Sequence, residues 1–101
     1  MIKVDILKSN NKIKEFSIKG HANAKIGNSK FDLVCAGVSS VVYGILNSLE
    51  LDFLNIEIKN GYVNIIVNSF SNKNEIILNT LEISLKTIEE NNEKHIKIKE
   101  I

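Results

Sequence analysis

Residues 19–40, KGHANAKIGNSKFDLVCAGVSS, hold the only cysteine, Cys35, and one of two histidines, His21. A thiolate is a strong nucleophile. An imidazole brought beside it favours that thiolate and can carry its proton. The residue pattern predicts a helix over about 33–50 with Asp32 as N-cap, which puts Leu33, Val34 and Cys35 in the first turn. There the unpaired N–H groups and partial positive charge of a helix start would favour the thiolate further and supply donors to a developing oxyanion. Asp32 is read as a cap and not as an activator, because an anion near the thiol opposes its ionisation. Plain readings stand beside these. A lone cysteine in an intracellular protein is most often a small buried hydrophobe. A histidine ahead of a loop is most often a polar turn residue. The hydroxyl of Ser39, one helical turn from Cys35, can simply bond back to its own helix. Spacing alone leaves these alternatives open.

The flanking elements follow from hydrophobic periodicity. Residues 2–8 alternate Ile2, Val4 and Ile6 with Lys3 and Asp5, the pattern of a half-buried strand. Ser9, Asn10 and Asn11 turn the chain. Residues 12–19 return with Phe16 and Ile18 inward and Glu15, Ser17 and Lys19 outward. Gly20 ends the hairpin, so His21 sits at a strand end, and residues 22–31 form a loop around Gly27. In the helix, Val34, Val38, Val41, Ile45 and Leu49 make one apolar stripe, and Cys35, Ser39 and Val42 an adjacent one. Gly37 and Gly44, costly inside a helix, suggest close approach of a neighbour. Residues 53–59 and 62–67 form a second hairpin about Asn60-Gly61, with Leu54, Ile56, Ile58, Val63, Ile65 and Val67 inward. Asn72 and Glu75 have capping-box spacing ahead of a second helix running to about Asn91. Its stripe is Ile77, Leu81, Leu85 and Ile88, with Glu82, Lys86, Glu89 and Glu90 toward water. His95–Ile101 alternates as a last strand. His95, in this Lys-rich segment, is a minor candidate for a catalytic role beside His21. The expected fold is α+β: a single domain over 1–101, a mainly antiparallel sheet in the order β-β-α-β-β-α-β, and two helices packed on one face.

Composition narrows the function. All 13 basic residues are lysine, and the net charge is +1. Without arginine the commonest bidentate reader of phosphate and guanine is missing, and so is any phosphatase loop that pairs Cys with Arg. A net charge this small supplies no bulk field for nucleic acid, so no direct nucleic-acid partner is expected. One cysteine and two separated histidines fall short of a zinc pattern, and neither a metal nor any other cofactor is called for. One cysteine forms no internal disulfide, Met1 leads straight into a strand, and no apolar run reaches membrane-spanning length. A cytoplasmic protein, off the membrane, is expected.

The segment Gly20-His21-Ala22, Gly27, Asp32-Leu33-Val34-Cys35-Ala36 and Val38-Ser39 resembles the ribosomal-processing cysteine proteases called Prp. That family combines a GHA motif, a glycine-containing loop and a D-[IVL]-V-C-A-x-V-S helix start. Length and element order agree across the chain, while the span from Gly27 to Asp32 is slightly longer than the pattern. The resemblance implies a cysteine endopeptidase that removes the short N-terminal extension of large-subunit ribosomal protein twenty-seven during ribosome maturation. It implies a homodimer, and a mobile loop including Ala22, Gly27 and Phe31 that orders on substrate. By position, Cys35 is the nucleophile and His21 the base. Asp32, Ser39 and Ala36 have supporting roles. Beside the resemblance, the expected helix start offers backbone N–H groups of its first turn, such as those of Cys35 and Ala36, to steady the oxyanion. Two rival classes are weighed against this. One is a non-catalytic ribosome-associated module that binds protein or RNA through a sheet face carrying Lys3, Lys97, Lys99 and Tyr62. The other is a redox-sensing thiol, which would need a resolving cysteine from a second chain.

Overall fold

The computed structural model describes residues 1–20 and 29–101, the side chains of 29–32 excepted. Its elements are β1 (Ile2–Ser9), β2 (Lys12–Lys19), α1 (Ser29–Leu46), a short 3-10 turn (Leu51–Phe53), β3 (Leu54–Lys59), β4 (Tyr62–Val67), α2 (Asn72–Glu90) and β5 (Ile96–Glu100). The strands form one sheet in the order β3-β4-β2-β1-β5. Only the β1–β5 pairing is parallel. The expected α+β fold, mainly antiparallel with both helices on one side, is what forms.

Alternation sorts the strands. Ile2, Val4, Ile6, Phe16, Ile18, Val63 and Ile65 are fully buried against the helices. A bulge between Leu7 and Lys8 shifts the β1–β2 register, so that Lys8 opposes Ile13. One extra residue reverses the side on which following side chains fall. Ile13 therefore joins the core at an odd position while Phe16 and Ile18 join it at even ones. Asn10 and Asn11 take the first hairpin turn at φ 54° and 63°, a left-handed region that asparagine tolerates better than most residues.

Three local expectations are corrected. First, α1 begins at Ser29 and ends at Leu46 instead of spanning 33–50. Asp32 lies inside its first turn, not at the cap. The chain leaves the helix at Asn47 and Ser48, where the Ser48 hydroxyl donates back to the Gly44 carbonyl at 3.0 Å. Glu50 is then held elsewhere: its N–H donates to Asn74 Oδ1 at 2.7 Å, and its carbonyl accepts from Asn74 Nδ2 at 3.0 Å. Second, the cap of α2 is Ser71, not Asn72. Its Oγ accepts from the Asn74 N–H at 3.2 Å and donates to Glu50 Oε1 at 2.5 Å. Third, Glu82 faces the core edge and not water, at 6% exposure. Lys8 on β1 reaches it at 3.1 Å and Lys86, one turn along α2, at 2.9 Å. Burial pushes the Glu82 carboxyl up, but hydrogen bonds from Lys86 and Lys8 outweigh it and leave the group below its ordinary value. The hydrogen bond to Glu82 in turn holds the Lys8 ammonium above its ordinary value.

The two helix glycines do not mark close approach. Among the described residues, a Cβ on Gly37 would meet only Ile88 Cδ1 at 3.9 Å, and one on Gly44 would meet nothing within 4 Å.

Candidate active site

Gly20 decides where the chain leaves β2. Its φ is +91°, and a Cβ there would lie 2.8 Å from the Met1 carbonyl oxygen. Only glycine fits both demands. The Gly20 N–H donates to the Gly61 carbonyl, in the β3–β4 turn, at 2.6 Å. The point from which His21 departs is thus tied to two neighbouring strands. This is the physical content of the glycine in the GHA motif.

Cys35 is the seventh residue of α1, in its second turn, and is 3% exposed. The expectation that it sits in the first turn is corrected by the earlier helix start. Its own N–H and that of Ala36 lie within the helix ladder, where i→i−4 bonding uses them. They are therefore not the helix's spare donors. The N–H groups without intrahelical partners belong to the first turn, residues 29–32. Side chains on a helix lean toward its N-terminus, so the thiol projects back over that turn.

Ser39 and Tyr43 follow Cys35 at four-residue steps and share its face. Exposure rises along that face, from buried Cys35 through half-buried Ser39 to Tyr43 at 39%. Tyr43 was not singled out from sequence, although its spacing from Cys35 is the signal that would have found it. On the helix side of the sheet, edge strand β3 leaves Ile58 at 53% exposure. A groove of about 290 Å³ lined by Leu33, Val34, Gly37, Ile88 and Asn92 lies along the α1–α2 seam. At 100° per residue it is on the far side of α1 from Cys35.

Of the other expected site residues, His21, Ala22 and Gly27 lie outside the described residues. For Phe31 and Asp32 the backbone alone is placed, within the first turn of α1. Ala36 is exposed. His95 precedes β5, its carbonyl accepting from the Ile2 N–H at 2.8 Å. Among the described residues no group of His, Cys, Asp and Glu could hold a metal ion, and no helix is long and apolar enough to cross a membrane.

The model of the cysteine protease Prp family matches residues 1–97. The ribosomal processing cysteine protease Prp of Staphylococcus aureus is 32% identical over 105 aligned positions, which cover 97% of each chain. Two crystal structures of that essential S. aureus protease align over 100% of both chains. The complex with a covalently linked product peptide has a TM-score of 0.85 at 31% identity. The complex with a substrate peptide has a TM-score of 0.81 at 27% identity. Sequence, sheet topology and helix placement therefore agree over the whole length, and this chain belongs to the cysteine protease Prp family and is a cysteine-type endopeptidase.

Proposed function

We propose that this chain removes the short N-terminal extension of large-subunit ribosomal protein twenty-seven during ribosome maturation, using Cys35 as nucleophile and His21 as its base. The observation that carries the reading is the relative of closely similar fold with a product peptide covalently attached. A cysteine-type endopeptidase needs a cysteine, and this chain has one. That relative is a ribosomal processing protease, which supports the substrate class.

The chemistry runs in two halves. The Cys35 thiolate attacks the scissile carbonyl carbon, and the carbonyl oxygen takes up the negative charge. The first-turn amides of α1, which have no carbonyl four residues earlier in the helix, face that charge in place of the Cys35 and Ala36 amides. His21 gives its proton to the leaving amine as the C–N bond breaks, leaving a thioester. It then takes a proton from water, which attacks the thioester and releases Cys35. Burial among apolar side chains disfavours a thiolate, and residues 33–46 carry no charged side chain, so the counter-charge comes from a protonated His21. The enzyme acts in the cytoplasm, where ribosomes assemble, as a homodimer, a state that light scattering would measure.

The test is cleavage of a peptide spanning the extension junction, read by mass spectrometry. Wild type is expected to cut once. Cys35→Ala and Cys35→Ser are expected to lose roughly 10³-fold or more of kcat/KM, and His21→Ala about 10²–10⁴-fold. His95→Ala is expected to retain activity. No cut by a folded, reduced wild-type dimer would overturn the reading for this substrate, and loss of activity in His95→Ala but not in His21→Ala would reassign the base.

A further inference from the structure

The sheet has a second face, away from both helices, and its register gathers charge that the sequence scatters. Lys59 on β3 opposes Tyr62 on β4, Tyr62 opposes Lys19 on β2, Lys19 opposes Lys3 on β1, and Lys3 opposes Lys97 on β5. Four lysines and one tyrosine thus form a single row across all five strands. At about 4.8 Å between strands the row is roughly 19 Å long. All four lysines are exposed. Like charges directly opposite one another, as Lys3 is to both Lys19 and Lys97, destabilise a sheet. Among the described residues, the salt bridges involve none of Lys3, Lys19 and Lys97. Lys59 pairs with Glu57 at 3.2 Å and lies 6.0 Å from the centre of the Tyr62 ring. The next row along the same face is Glu57, Asn64, Ser17, Asp5 and Lys99. It bears a net charge of the opposite sign.

We propose that this row is a docking site for a single strand of RNA, and, resting on the function proposed above, that the RNA is ribosomal RNA of the particle whose protein is processed. The geometry selects a line of phosphates. A flat anionic membrane laid on this face would press Asp5, Glu15 and Glu57 against its headgroups, whereas a phosphodiester chain running across the strands touches the lysine row alone. Tyr62, half-buried within the row, offers a ring on which a base can stack. This reverses the expectation, drawn from net charge, that no nucleic acid binds directly. Lys99, counted toward this face from sequence, belongs to the acidic row instead.

The probe is a short fluorescein-labelled single-stranded RNA of mixed sequence, read by fluorescence anisotropy across a salt series. Four phosphate contacts give an expected slope of log K against log[salt] of about −3. Lys3→Gln/Lys97→Gln is expected to weaken binding at low salt by tenfold or more and to reduce the magnitude of the slope by about 1.4. Lys73→Gln/Lys94→Gln removes the same net charge elsewhere and is expected to leave both unchanged. Both variants should cleave the junction peptide as wild type does. Absence of RNA binding by wild type, equal loss in the two double variants, or binding to phosphatidylserine vesicles in place of RNA would each overturn the proposal. Cleavage is scored separately: RNA binding by a protein that fails to cut the junction peptide sustains the lysine row and overturns the substrate proposed above, and cutting without RNA binding does the reverse.

Discussion

Two helices of 18 and 19 residues lie on the same side of one sheet, and they are built on opposite plans. The second is fastened by polar side chains along its length. Ser71 and Asn74 hold its start to Glu50, Lys8 and Lys86 hold Glu82 near its middle, and near its end the Glu89 carboxylate accepts from the Ile98 N–H at 2.9 Å. The first buries small side chains, Val34, Cys35, Val38 and Val42, and includes two glycines where the second has none. Nothing charged lies between Leu33 and Leu46. The difference separates tasks. One helix fixes the scaffold, and the other sets a thiol in an apolar layer on a stretch of helix that carries no charged side chain. Substitutions should divide accordingly, into losses of stability from α2 and losses of rate from α1.

The largest stability effect is expected at the clamp. Asn74→Ala removes two hydrogen bonds and leaves the N–H and carbonyl of Glu50 without partners, at a cost of about 2–4 kcal/mol. Urea denaturation would show the loss as a lower midpoint, while kcat/KM per folded molecule stays at the wild-type value. If Asn74→Ala instead lowered the rate and left the midpoint alone, the division of tasks between the helices would be wrong.

A smaller and pH-dependent effect belongs to Glu82. Its carboxyl titrates below the ordinary value of 4.5 in the folded chain. Its stabilisation is therefore present above that ordinary value and is lost as pH falls through the folded one. Lys8, held above 10.5, stays charged throughout this window. Glu82→Gln should melt below wild type at neutral pH, and the gap should close as the pH drops below the ordinary carboxylate range. A gap that persists unchanged in acid would mean that Glu82 contributes by packing and not by charge.

How far the sequence reaches can be judged element by element. Alternation places every strand to within a residue or two, because a half-buried strand writes its period directly into the chain. The Prp motif singles out Cys35, which the structure sets in the second turn of α1. What escapes is what distant contacts decide. Ile13 enters the core through a bulge whose partner strand is needed to define it. Glu82 reads as a solvent-facing acid until Lys8, 74 positions earlier in the chain, is brought to it. The start of α1 is misread because Asp32 followed by an apolar run has the form of a cap, while the helix in fact extends one turn further back through Ser29, Lys30 and Phe31. The lysine row is invisible to net charge because it exists only once five strands are in register.

The smallest expected effect tests α1 itself. Gly44 sits in the helix interior, with open space where a Cβ would go. Glycine at such a position costs about 0.8–1 kcal/mol relative to alanine, through the backbone freedom lost on folding. Gly44→Ala should therefore stabilise the chain by that amount and leave peptide cleavage unchanged. Among the described residues nothing opposes the added methyl group. A variant that gains stability but loses cleavage would show that the space beside Gly44 is filled during catalysis, by substrate or by a second copy of the chain. The division between the helices would then be sharper than packing alone implies: α1 would be giving up stability at Gly44 for access, while α2 gives up none.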